Sequence, residues 1–74
     1  MNANQYHQAV NNVRMHLRAV DFDTAGSVID WMIDQCSGID SKNAKAVLGK
    51  MKKEELVFER DGWICLPEMA LELN

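Results

Sequence analysis

The chain of 74 residues is long enough for one small domain, and its 47% hydrophobic content with a single proline favours a folded domain over disorder. Its longest apolar runs have four residues or fewer, far below the roughly 20 that a membrane-spanning helix needs. The first residues also lack the basic start and apolar stretch of a signal peptide, so we expect a cytoplasmic protein without a membrane segment. In that compartment Cys36 and Cys65 are predicted to be reduced core residues.

Charge is distributed unevenly along this acidic chain. All five lysines lie within residues 42–53, where no acidic residue occurs, whereas the rest of the chain carries three arginines against eleven carboxylates. A basic segment in an acidic body favours an anion-binding face. The alternative is an ordinary solvated helix surface, because lysines near a helix C-terminus also suit the helix dipole.

Apolar residues spaced three and four apart predict a first helix over about residues 4–18. Met15 is placed nearly opposite this apolar stripe. His7 and His16 flank it on different sides and cannot clamp one metal ion as an i, i+4 pair would, so we expect them at the surface or its edge. The stripe consists of Tyr6, Ala9, Val10, Val13 and Leu17.

Phe22, between two aspartates, predicts a short extended segment, which could be a strand, that places its ring in the core. A second helix is predicted over about residues 24–36, with Asp23 or Thr24 as its N-cap. Trp31 lies off the apolar face of this helix and either packs on the first helix or the hairpin, or contacts a partner. That apolar face is formed by Ala25, Val28, Ile29, Met32, Ile33 and Cys36.

A third helix is predicted over about residues 41–54, with Asp40 or Ser41 as its N-cap. Its lysines fall away from the apolar side at about 100° per residue. Gly49, on the same outer face, indicates close approach by a partner, tight packing or simple tolerance. The apolar stripe consists of Ala44, Val47, Leu48 and Met51.

A β-hairpin is predicted over about residues 57–66, because Asp61-Gly62 is a strong signal for a two-residue type I′ turn. The turn sets the register, which pairs Arg60 with Trp63 and Phe58 with Cys65. Val57, Ile64 and Leu66 then share one face of the hairpin. The tail after Pro67 is predicted to form one helical turn or a docked segment.

Three helices followed by a two-stranded hairpin make the fold class mostly α with a C-terminal hairpin, in the order of a winged helix-turn-helix domain. The segment "IDSKNAKAVLGKMKKEELV", residues 39–57, resembles the recognition-helix segment of bacterial MarR-like and ArsR-like regulators. It departs from their pattern at Glu55, where those families usually place a glycine. The positions that match are Ile39, Ser41, Ala44, Val47, Leu48, Met51, Leu56 and Val57.

The resemblance implies that the third helix enters the major groove of double-stranded DNA. Asn43 is then the expected reader of base edges, and Arg60 at the hairpin tip is expected to contact the DNA backbone or minor groove. Lys50 and Lys53 are expected to contact phosphates. The residues implied nearest to the bases are Ser41, Lys42, Asn43, Lys45 and Ala46.

The sequence offers no Gly-rich phosphate loop, no cluster of metal ligands and no nucleophile paired with a base, so we expect neither an enzyme nor a cofactor. The alternative to DNA binding is a winged-helix module that docks on a larger transcription or replication assembly. A homodimer or protein contact would use Tyr6, Met15, Trp31 or the C-terminal tail.

Overall fold

The structure, a computed structural model, describes residues 1–72. This part of the chain contains four helices and a small antiparallel sheet, so the expected mostly helical chain with a C-terminal hairpin is confirmed. Two further elements are a short first strand, which the extended segment at Phe22 suggested, and a helix at the C-terminal end of the described residues. The elements in order are α1 (Ala3–Val20), β1 (Phe22–Thr24), α2 (Ala25–Gln35), α3 (Ser41–Lys53), β2 (Phe58–Arg60), β3 (Trp63–Cys65) and α4 (Pro67–Glu72).

Side-chain caps fix where the three long helices begin. Asn2 accepts a hydrogen bond from the Gln5 backbone N–H, and the Gln5 side chain accepts one from the Asn2 N–H, which makes a capping box at α1. Thr24 caps α2, and Asp40 caps α3 by accepting from the Asn43 N–H at 2.8 Å. Of the two candidates at each start, the structure selects Thr24 and Asp40.

The core is built from the predicted apolar stripes of the helices and from the inner side of the hairpin. Ile33 is the exception, since it is 39% exposed although the pattern placed it on the apolar face of α2. It sits at the edge of that stripe, where the neighbouring elements no longer cover it. The buried residues of the core are Ala9, Val10, Val13, Leu17, Val28, Met32, Cys36, Ile39, Ala44, Val47, Leu48, Met51, Val57, Ile64 and Leu66.

The three strands form an antiparallel sheet in the order β1-β3-β2. The predicted register of the hairpin is confirmed, with Arg60 opposite Trp63 and Phe58 opposite Cys65. Its turn residues Asp61 and Gly62 have φ values of 54° and 84°, and a type I′ turn requires positive φ at both positions.

The expected placement of the Phe22 ring in the core is wrong. Phe22 lies opposite Cys65 in the β1–β3 ladder, and residues directly opposite each other in an antiparallel pair project to the same face. That face is the outer one, because Ile64, the neighbour of Cys65, is fully buried on the inner side. Phe22 is half-buried on the outside of the sheet.

Two polar contacts hold the inner side of the sheet against the helices. Asp23, Ile64 and Glu59 form one row across the three strands, so their side chains share the inner face. The Asp23 carboxylate lies 2.7 Å from His16 Nε2 on α1, and Glu59 accepts a hydrogen bond from Lys52 Nζ on α3 at 2.8 Å. The sheet therefore docks on the helices through a buried isoleucine flanked by two polar pairs.

The chain leaves α3 through a Schellman motif. Glu55 has φ +61°, its N–H donates to the Lys52 carbonyl at 3.1 Å, and the Leu56 N–H donates to the Met51 carbonyl at 2.9 Å. Glu55 thus adopts the left-handed conformation for which glycine is the usual residue. The sequence departs from the regulator pattern at this position, but the backbone conformation is the one a glycine would serve.

Both cysteines are free thiols and are buried, as expected. Within residues 1–72, none of the helices combines the length and the apolar character needed to cross a membrane. Residues 73 and 74 of the predicted C-terminal tail lie outside the described part of the chain, and its residues 67–72 form α4.

Candidate functional site

The packing of α3 determines which of its side chains face solvent. Its apolar stripe is buried against the other helices and the sheet, so the opposite side of the helix is open. We call this open side the basic face; it consists of Lys42, Lys45, Ala46, Gly49 and Lys53, all of which are exposed. It presents three lysines around two small residues and contains no carboxylate.

The other predicted contact residues lie around the basic face. Ser41 and Lys50 are exposed on α3, and Arg60 is exposed at the end of β2 beside the hairpin turn. Asn43 is half-buried, and its backbone N–H is used by the Asp40 cap. Its side-chain amide makes no hydrogen bond within residues 1–72.

Lys50 is partly engaged by α1. Its Nζ lies 4.4 Å from the centre of the Tyr6 ring, and the Tyr6 hydroxyl donates a hydrogen bond to Glu54 Oε1 at 2.9 Å. Burial raises the pKa of Tyr6 above its usual value of 10.0, and the hydrogen bond to Glu54 and the charge of Glu54 raise the pKa further. These contacts connect the start of α1 to the end of α3. Tyr6, which the sequence offered as a partner-contact residue, therefore makes contacts within the chain.

Lys52 is tied to the hairpin through its ion pair with Glu59. Both side chains are more than 30% exposed, at 39% and 32%, so the pair contributes little stability but holds the lysine on the sheet side of α3. The lysine cluster of the sequence is thus divided in the fold. Lys50 and Lys52 face internal partners, whereas Lys42, Lys45 and Lys53 have no ion-pair partner among the side chains of residues 1–71.

Gly49 has no structural reason to be a glycine within this chain. A Cβ atom built at this position meets nothing within 4 Å, which excludes the tight internal packing that the sequence left open. Simple tolerance and close approach by a partner remain the two explanations. Either way, the centre of the basic face is exposed and carries no side chain larger than the methyl group of Ala46.

Trp31 packs on the first helix, one of the two alternatives that the sequence offered. Its ring stacks on His16 at a centroid distance of 4.3 Å and an interplanar angle of 18°, and His16 in turn contacts Asp23. Sequence reasoning missed this cluster, because only the fold brings residues from α1, β1 and α2 together. The indole Nε1 is buried and has no hydrogen-bond partner within residues 1–72.

An acidic groove of about 700 Å³ lies beside that cluster. Asp30 and Asp34 line it together with the exposed Ile33. The described residues contain no group of three histidine, cysteine or acidic side chains positioned to hold a metal ion. The groove is therefore a negatively charged surface and the basic face a positive one.

Comparisons of the chain with protein-family models, with curated proteins and with solved structures found no significant match.

Proposed function

We propose that the chain is a small winged helix-turn-helix protein that binds double-stranded DNA and acts as a transcriptional regulator of bacterial, plasmid or phage type. In this proposal α3 enters the major groove through its basic face, with Asn43 reading base edges. Arg60 at the hairpin tip contacts the DNA backbone, and Lys53 contacts a phosphate.

The observation that carries the proposal is the basic face itself. Lys42, Lys45 and Lys53 are exposed together on one side of a helix in a chain whose remaining charges are mostly acidic. Because the two lysines with internal partners point elsewhere, the exposed set is aligned along the side of α3 that a groove would receive. An ordinary solvated helix surface mixes acids with lysines, and this one does not.

The arrangement of the elements supports the same proposal. Three long helices followed by a β-hairpin are the order of elements that the regulator resemblance implies. The positive φ of Glu55 also supports a wing-type exit from α3, although the residue is not the usual glycine.

Four exposed cations define the expected strength of binding. With Lys42, Lys45, Lys53 and Arg60 each contacting one phosphate, the slope of log affinity against log salt is about −3.6. Affinity then falls about 150-fold between 50 and 200 mM salt. Binding without sequence preference is expected at a dissociation constant of about 10⁻⁴ to 10⁻⁶ M at physiological salt.

An NMR titration with mixed-sequence duplex DNA at 50 and 200 mM salt tests the proposal. We expect shift changes confined to residues 41–53 and 59–63, and we expect them to weaken steeply with salt. A spectrum that does not respond at 50 mM salt would refute DNA binding.

A charge-reversal pair locates the site. Lys42→Glu with Lys45→Glu is expected to abolish binding and to change the free energy of unfolding by less than about 1 kcal/mol, because both side chains are exposed. Arg14→Glu with Arg18→Glu changes the net charge equally on α1 and is expected to weaken binding by no more than about threefold. Equal loss in both variants would show that α3 is not the binding element.

A protein-docking module is the second candidate, and the acidic groove favours it. The groove combines two aspartates on one side of α2 with the exposed side chain of Ile33, a composition suited to a basic, partly apolar partner segment. Asp30→Asn with Asp34→Asn would weaken such a contact and leave DNA binding intact.

A further inference from the structure

The outer face of the sheet carries a row of three side chains that crosses all three strands. Phe22 on β1, Cys65 on β3 and Phe58 on β2 are paired in register and therefore project to the same side. The next row on this same face, two residues further toward the hairpin tip, consists of Thr24, Trp63 and Arg60. We call this set of six residues the aromatic face.

The helices that dock on the sheet contact its other side, through the row that contains Ile64. Trp63 is 52% exposed and Phe58 is 39% exposed, so two large aromatic rings at diagonal positions on neighbouring strands are open to solvent. Cys65 lies between the two phenylalanines, and burial raises the pKa of its thiol, which keeps that side chain neutral. Phe22, Arg60, Asp61, Trp63 and Cys65 line a shallow concavity of about 600 Å³.

We propose that a second copy of this chain covers the aromatic face, related to the first by a two-fold axis that runs along β3 between the two sheets. The two outer strands are equivalent about this axis, because β3 lies between β1 and β2. The axis therefore places each Phe22 opposite the Phe58 of the second copy and each Trp63 opposite the other Trp63. The face is complementary to itself, which an isologous contact requires.

The charges on this face favour the same occupant. Arg60 and Asp61 both lie at the tip end of the hairpin, and a two-fold axis along β3 brings the two tips to the same end, where each copy contributes one charge of each sign. Each copy has a formal net charge of −3, and the acidic groove on α2 would repel another copy. The aromatic face contains no carboxylate, and with the adjoining turn residue Asp61 it carries one charge of each sign, so it avoids that repulsion.

The exposed area of the aromatic face limits how strongly two copies can associate. Aromatic side chains bury about 150–250 Å² each, so the exposed parts of Trp63 and Phe58 together provide roughly 140–230 Å². Phe22 and Arg60 add to this, but the total stays well below the about 800 Å² per partner of a standard stable interface. The dimer is therefore weak and reversible, with a dissociation constant on the order of 10⁻⁴ to 10⁻³ M.

This self-association does not require DNA, so its failure and the failure of the proposed function are separate outcomes. NMR spectra of the full chain recorded from about 20 μM to 1 mM without DNA test it directly. We expect concentration-dependent shifts at residues 22–24, 58–60 and 63–65, including the Trp63 indole. Spectra that do not change, or shifts located elsewhere, would overturn the proposal.

Two further measurements test the geometry. In a mixture of isotope-labelled and unlabelled chain at 1 mM, isotope-filtered spectra should show contacts between the Phe22 ring of one copy and the Phe58 ring of the other. Trp63→Thr should weaken self-association at least about tenfold, and Met15→Thr should change it less than about twofold. Met15 is a matched control because it is 65% exposed on α1, away from the sheet. Equal effects of the two substitutions would refute this interface.

Discussion

Glu55 occupies a backbone conformation that disfavours its own side chain, and replacing it should stabilise the protein. Its φ of +61° places it in the left-handed region, where the Cβ of an L-residue crowds the following carbonyl oxygen. The two hydrogen bonds of the Schellman motif, at 2.9 and 3.1 Å, hold it there because they satisfy the last carbonyls of α3. Glu55→Gly removes the crowding and keeps both bonds.

The expected gain follows from two opposing terms. The left-handed conformation costs an L-residue about 1–2 kcal/mol, and a glycine adds about 0.4–1 kcal/mol of conformational freedom to the unfolded chain that folding must remove. The net increase in the free energy of unfolding is about 0.5–1 kcal/mol. For a domain of this size that corresponds to a rise in Tm of about 3–6 °C.

Thermal and urea denaturation followed by circular dichroism measure this difference. Glu55→Ala is the matched control, since it removes the same charge but keeps the Cβ, and it should change the free energy of unfolding by no more than about 0.5 kcal/mol. If Glu55→Gly were no more stable than Glu55→Ala, the positive φ would be wrong and the described exit from α3 into the hairpin would be wrong with it.

Two further predictions concern glycines within the helices and the contact between α3 and α1. Gly49→Ala should raise the free energy of unfolding by about 1 kcal/mol, because Gly49 is inside α3 and the added Cβ meets no atom within 4 Å. Gly26→Ala, in the first turn of α2, also meets no atom and should stabilise the protein by less. Only the Gly49 variant should weaken DNA binding if a partner approaches that backbone closely. Tyr6 is the one tyrosine of the chain, so absorbance at high pH follows its phenol, whose midpoint we expect above 10. Since the pKa is raised in the folded state, this group stabilises the protein below pH 10 and loses that contribution as pH rises through the folded pKa. Glu54→Gln should lower the midpoint without restoring 10.0, because burial is the larger cause, whereas an unchanged midpoint would contradict the hydrogen bond.

Local signals predicted the elements of this fold well. The Asp61-Gly62 turn determines the hairpin register by itself, since few residue pairs accept positive φ at two consecutive positions. The N-cap of α3 and its apolar stripe are equally local, because a helix repeats its surface every three to four residues. Each of these features involves residues close together in the sequence.

The features that sequence reasoning predicted wrongly or missed depend on pairing between distant segments. Which way Phe22 projects is decided by its register against β3, and a shift of one residue reverses the face of every side chain on a strand. The division of the lysines depends likewise on contacts of Lys50 with Tyr6 and of Lys52 with Glu59. Charge counting therefore overestimated the number of available cations on α3.

Because few cations are available to hold one copy on DNA, pairing of two copies through the aromatic face would strengthen DNA binding. In the proposed complex, three lysines on α3 and Arg60 would hold one copy on DNA weakly, and the aromatic face alone would hold two copies together weakly. Two copies bound side by side on one duplex experience an effective concentration of about 1 mM, which, for a contact of 10⁻⁴ to 10⁻³ M, raises the affinity of the second copy about two- to tenfold. An axis along β3 also directs both hairpin tips, and hence both Arg60 side chains, toward the same side. Occupancy of a paired site would then rise more steeply with protein concentration than occupancy of a single site, because each copy makes its neighbour bind more tightly.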